Sequence, residues 1–111
     1  MVTQQQSGAV FAAIADPTRR AILDLLRRQE LRAGDLARHF PVSRPAIARH
    51  IGVLRRAGLL HERRQAQARL YSLDAAALAS VDRWLAPYRL FWSARLSDLK
   101  RAIEADIDLS S

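Results

Sequence analysis

Ser43-Arg44-Pro45-Ala46-Ile47-Ala48-Arg49-His50-Ile51-Gly52-Val53-Leu54-Arg55-Arg56-Ala57-Gly58 is the stretch whose reading decides the fold. Pro41-Val42 breaks the helical pattern before it, and Ser43 can cap a new helix with its side-chain oxygen. Gly58 supplies the left-handed residue that ends that helix. At about 100° per residue, Ile47, Ile51 and Leu54 share one face, while Pro45, Ala48, Arg49, Gly52 and Arg56 lie roughly opposite. The preceding helix, from about Ala33 to Phe40, carries Leu36, Ala37 and Phe40 at helical spacing. Two short helices joined by a tight turn, about residues 33–57, are a helix-turn-helix.

The flanks extend this reading. From residue 59 to 73 the pattern changes to two short alternating segments, Leu60 to Arg64 and Arg69 to Leu73, joined by Gln65-Ala66-Gln67-Ala68. That is a hairpin lacking the usual Gly or Asn at its turn. On the other side, Asp16-Pro17 starts a helix whose buried face carries Ile22, Leu23, Leu25 and Leu26. A short apolar helix over about 8–15 precedes it, and residues 1–7 lack periodicity and are expected to fray. Asp74 caps a further helical region over about 75–105, in which Pro87 either kinks one helix or opens another. The expected fold is mainly α with a small β-hairpin, a winged helix-turn-helix, with residues 8–111 forming a single domain.

Charge locates the working surface. The net charge is +7 over 111 residues, and seventeen of the eighteen basic residues are arginine. Eleven arginines between Arg27 and Leu70 face only Glu30, Asp35 and Glu62, a local balance of +8, whereas the remainder carries −1. Such one-sided clustering suits a polyanion, whose counterions are released on phosphate neutralisation.

On the outer face of the second helix of the motif, small residues would allow close approach to DNA. Arg49 there can reach the O6 and N7 acceptors of guanine. Ser43, Arg44, Pro45 and Ala48 stand at the N-terminal flank, where recognition helices first touch bases. Arg55 and Arg56 come late and suit phosphates. His50 sits at the edge of the core face, either packed with one hydrogen bond or touching phosphate. Arg63, Arg64 and Arg69 make the hairpin basic. It is either a contact to the backbone or minor groove, or a charged edge that resists aggregation.

Several phrases together are similar to the ArsR family of bacterial winged-helix repressors. They are Ala15-Asp16-Pro17-Thr18-Arg19-Arg20-Ala21-Ile22-Leu23, Phe40-Pro41-Val42-Ser43-Arg44-Pro45-Ala46-Ile47, Arg49-His50-Ile51, Val53-Leu54-Arg55-Arg56-Ala57-Gly58-Leu59 and Arg69-Leu70-Tyr71-Ser72-Leu73. The resemblance implies a dimeric repressor on an inverted repeat of double-stranded DNA. Relatives often carry serine where Ala48 stands, and many carry Gly-Arg where Ala66-Gln67 forms the hairpin tip.

Leu78, Val81, Trp84, Leu85, Tyr88, Phe91, Trp92, Leu96, Leu99 and Ile103 recur at three-to-four spacing. An intrachain core is one explanation. A two-fold interface formed by Trp84, Tyr88, Phe91, Trp92, Leu96 and Leu99 with the N-terminal helix around Phe11 and Ile14 is preferred, because a helix after the wing extends past the compact domain.

With no cysteine, thiolate metal sites, disulfides and cysteine catalysis are excluded. No histidine follows His61, and Glu104, Asp106 and Asp108 form a solvated tail, so neither metal nor cofactor is expected. No catalytic triad, phosphate loop or paired carboxylates appear, so the chain is not read as an enzyme. The longest apolar run near the N-terminus, Ala9 to Ala15, is too short to span a bilayer, and a cytoplasmic protein is expected. A winged-helix module for protein or RNA is the alternative to operator DNA.

Overall fold

A computed structural model describes the backbone of residues 4–110 and the side chains of residues 7–107. Helix α1 spans Gln4–Ile14 and α2 spans Pro17–Arg28. The Asp16 carboxylate accepts the Arg19 backbone N–H at 3.0 Å and Pro17 fills the first helical position, so this start is set locally. The first helix starts earlier than the residue 8 read from the sequence. The helix begins at Gln4, because straight-chain glutamines lose little rotamer freedom in a helix and extend one already fixed by buried Val10 and Ala13. Residues 1–3 lie outside the described residues.

Strand β1, Leu31–Arg32, leads directly into α3, Ala33–Ala37, and α4 follows over Arg44–Arg56. Helix α3 stops three residues short of Phe40, since the bonds from His39 N–H to Leu36 O and from Phe40 N–H to Ala37 O tighten the chain into a turn. Strands β2, Leu60–Gln65, and β3, Ala68–Leu73, form the expected hairpin. Strand β1 was not legible, because two residues have no periodicity. It pairs with β3 through Leu31↔Tyr71 and Arg32↔Leu70, making an antiparallel sheet of order β1-β3-β2.

The end of α4 fixes where the hairpin starts. Gly58 takes φ +82°. Its N–H donates to Arg55 O at 2.9 Å, and the Leu59 N–H to Leu54 O at 3.0 Å, the pair of bonds that closes a helix at a left-handed glycine. Leu54 and Leu59 are fully buried, supplying the apolar contact that accompanies this cap. The Leu59 carbonyl in turn accepts the Asp74 N–H at 2.8 Å, so one residue is pinned to both the helix and the exit of the sheet.

The core joins Val10 and Ala13 of α1, Ile22, Leu23 and Leu26 of α2, Leu36 of α3, the Ile47/Ile51/Leu54 face of α4, and Leu59, Leu60 and Tyr71. Asp74 caps a single 3-10 turn, Ala75–Leu78, by accepting the Ala76 N–H at 3.1 Å, and α5 then runs over Ala79–Ser110 with Pro87 inside it. The chain divides into two compact units, one ending at Val81 and one beginning at Asp82. Among the described residues no helix is long and apolar enough to cross a membrane.

Candidate nucleic-acid interface

Helix α4 sorts its side chains as its spacing requires. Ser43 Oγ accepts the Ala46 N–H at 3.2 Å, leaving the hydroxyl proton able to donate outward. Arg44, Pro45, Ala48, Arg49, Arg55 and Arg56 are exposed, opposite the buried Ile47, Ile51 and Leu54. Arg44, Arg49 and Arg56 make no hydrogen bond or ion pair among the described residues. A Cβ built on Gly52 would lie 3.2 Å from Arg56 Nη1, so the missing side chain lets Arg56 fold along the same outer face.

His50 is half-buried at the edge of the core face. Its Nδ1 is 3.3 Å from Arg19 Nη1 and 3.9 Å from Asp16 Oδ2. The same Arg19 guanidinium donates to Ala13 O at 2.7 Å and Ala12 O at 3.1 Å, and Arg20 donates to Ile14 O at 2.9 Å. His50 thus joins the junction of α1, α2 and α4, where arginines satisfy the last carbonyls of α1. The Arg19 N–H holds the Asp16 carboxyl below the usual carboxylate range.

In the hairpin the expected basic residues divide. Arg64 is exposed, opposite Arg69 across the strands, and has no partner among the described residues. Arg63 donates to both oxygens of Glu30, at 3.1 and 2.5 Å, and this bond lowers the Glu30 pKa and raises that of Arg63. Strand register puts Arg63 and Arg32 on the same sheet face as Leu70. Leu70 is buried outside the main core, so the pair straps that face. At the tip, Ala66 sits at φ +56°, a left-handed geometry that a Cβ disfavours.

Glu62, unassigned by sequence reasoning, is the hub between hairpin and helix. It accepts from Tyr71 Oη at 2.8 Å and from Arg55 at 2.9 Å, and lies 3.8 Å from Arg69. The Tyr71 hydrogen bond, with Arg55 and Arg69 nearby, lowers the Glu62 pKa. Burial, with Glu62, raises that of Tyr71. The only available signal was that Glu62 is one of three acids in the basic segment.

Within the second unit, Trp84, Tyr88, Phe91, Trp92, Leu96, Leu99, Ile103 and Ile107 are each 45 to 61% exposed. Trp84 and Tyr88 stack at 4.9 Å, and Arg95 lies 4.8 Å over Phe91. In the first unit, Phe11 and Ile14 are half-buried. No group of three potential metal ligands occurs among the described residues. The Asp108 side chain lies outside them.

A family model described as bacterial regulatory protein, arsR family, matches residues 16–62. The transcriptional repressor SdpR of Bacillus subtilis is 43% identical over 68% of this chain and 84% of its own length. The HTH-type transcriptional regulator Rv2034 of Mycobacterium tuberculosis is 37% identical over 97% of this chain and 98% of its own. A solved ArsR-like transcriptional regulator from Rhodococcus sp. RHA1 shares 35% identity at a TM-score of 0.68, covering 87% of this chain and 92% of that one.

Proposed function

The chain belongs to the arsR family of bacterial regulatory proteins, a DNA-binding transcriptional regulator and not an enzyme, and from that premise we propose that it represses transcription as a homodimer on an inverted-repeat operator. The observation that carries this reading is the outer face of α4. There, three arginines without partners among the described residues, Arg44, Arg49 and Arg56, flank the small residues Ala48 and Gly52. Arg49 reads guanine in the major groove, while Arg44 and Arg56 meet the groove edge and phosphates.

Dimerisation uses the apolar stripe of α5 with Phe11 and Ile14. Large apolar side chains left half-exposed at helical spacing are the mark of a helix awaiting a partner. A second copy supplies the same stripe, and two-fold pairing would set the recognition helices roughly 34–36 Å apart. The protein works in the cytoplasm without a sensory metal, in keeping with a chain that has no cysteine.

In vitro selection of duplexes by the purified protein tests the reading. A palindrome with half-sites one helical turn apart is the expected result, and failure to enrich any duplex would sink it.

A further inference from the structure

A cleft of about 370 Å³ opens between α3, α4 and β3, with Arg44, Arg55, Arg69 and Tyr71 among its walls. Ala48 and Gly52 also line it, so it is continuous with the outer face of α4. Three guanidinium groups therefore share one cavity. Among the described residues, the only carboxylate bound to them is Glu62, which accepts from Arg55 at 2.9 Å and Tyr71 Oη at 2.8 Å and stands 3.8 Å from Arg69. Arg44 has no internal partner among the described residues.

A carboxylate and a phosphodiester offer a guanidinium the same pair of acceptor oxygens. We propose that this cleft seats one phosphate of the DNA backbone and that Glu62 is its built-in competitor, occupying in the free protein the arginines that the phosphate takes in the complex. The proposal rests on the DNA-binding reading above. The exchange is sterically simple, because the Arg55 and Glu62 side chains are 47% and 25% exposed and need only rotate. When the arginines turn to phosphate, Glu62 loses its ion pairs but keeps the hydroxyl of the buried Tyr71 and its contact with solvent. The small Ala48 and Gly52 leave the lip open to a backbone passing from groove to hairpin. Glu62 thereby weakens every DNA complex that uses the cleft, and Arg55 serves two anions in turn.

Fluorescence anisotropy of the full chain on a selected duplex, over a series of salt concentrations, tests this. Glu62→Gln is expected to bind about five- to tenfold more tightly than wild type at low salt, with a slope against log salt steeper by about 0.9. Asp35→Asn adds the same charge on α3, where Asp35 pairs with Arg38, and is expected to gain less than about twofold. Adding Arg55→Ala to Glu62→Gln should erase the gain. Glu62→Ala carries the same expectation should Glu62→Gln melt early. A gain no larger than that of Asp35→Asn, or one that survives loss of Arg55, reduces the effect to net charge and overturns the proposal. Weaker binding by a variant of unchanged melting temperature would make Glu62 a support of the hairpin, and also overturns it. Wild type that binds no duplex brings down the DNA reading itself, and the proposal with it.

Discussion

Arg19 and His50 meet across 31 positions of sequence, with Nη1 and Nδ1 3.3 Å apart, while the same guanidinium holds the carbonyls of Ala12 and Ala13. One arginine thus ties the end of α1 to the middle of α4. Arg19→Ala takes this donor from the Ala13 carbonyl and the histidine, while the Ala12 carbonyl keeps the Ala15 N–H, and is expected to cost about 1–3 kcal/mol of stability. Urea denaturation measures it, and an unchanged midpoint would contradict the assigned role. His50→Ala should show in the same measurement, with little effect on DNA affinity in the folded protein.

On the proposed reading, base reading and backbone holding fall to two different arginines. Arg49→Ala should cost about 1–3 kcal/mol on the preferred duplex and relax its base preference. Arg64→Ala should weaken all duplexes alike and flatten the salt slope by about 0.9. Arg63 is a poorer choice for that comparison because Glu30 already holds it. Two identical profiles would contradict the division.

Ala66 occupies a left-handed conformation at the hairpin tip. Replacing it with glycine removes the Cβ penalty and should raise stability by about 0.5–1 kcal/mol, after the extra freedom glycine brings to the unfolded chain is subtracted. A lower melting temperature for Ala66→Gly would show that the turn carries no such strain.

The Glu62 and Tyr71 pair predicts a two-sided pH profile. Glu62 titrates below its ordinary 4.5, so its contribution to stability is complete above that value and is lost as pH falls through the lower folded pKa. Tyr71 titrates above its ordinary 10.0, so its contribution is complete below that value and is lost as pH rises through the higher one. Melting temperatures followed across pH should therefore fall at both ends. Glu62→Gln should shrink the acid arm, to which Asp16, Asp24 and Glu30 also contribute, and Tyr71→Phe the alkaline arm. Arms unchanged in both variants would refute the coupling.

Leu96 is 59% exposed on the α5 stripe, so Leu96→Glu should leave the fold of one chain intact while opposing self-association. Sedimentation is expected to shift from dimer to monomer, and affinity for a palindrome to fall by about 100-fold or more as the second half-site is lost. An unshifted dimer would move the interface off this stripe.

Sequence reading succeeded where a signal is local and repeated. Ser43, Asp16-Pro17 and Gly58 each set a helix end within their own turn, and Ile47, Ile51 and Leu54 declare a buried face by spacing alone. It missed contacts between distant segments, which leave no period. The two-residue β1 exists only because β3 pairs with it. His50 reads as a phosphate contact or a packed side chain, and its neighbours Arg19 and Asp16, 31 and 34 positions away, leave no pattern in the sequence. Composition marked the arginines as a surface but could not tell Arg64 from Arg63, because what separates them is Glu30, brought alongside by the sheet.

Leu59 gives the helix and hairpin a shared fulcrum. Its N–H is held by Leu54 O and its carbonyl by the Asp74 N–H, with only Gly58 between it and the cap of α4. That leaves no slack between the end of α4 and the base of the hairpin, so a tilt of one is carried straight into the other, and on the proposed DNA-binding reading the two would meet a duplex as one stiff body.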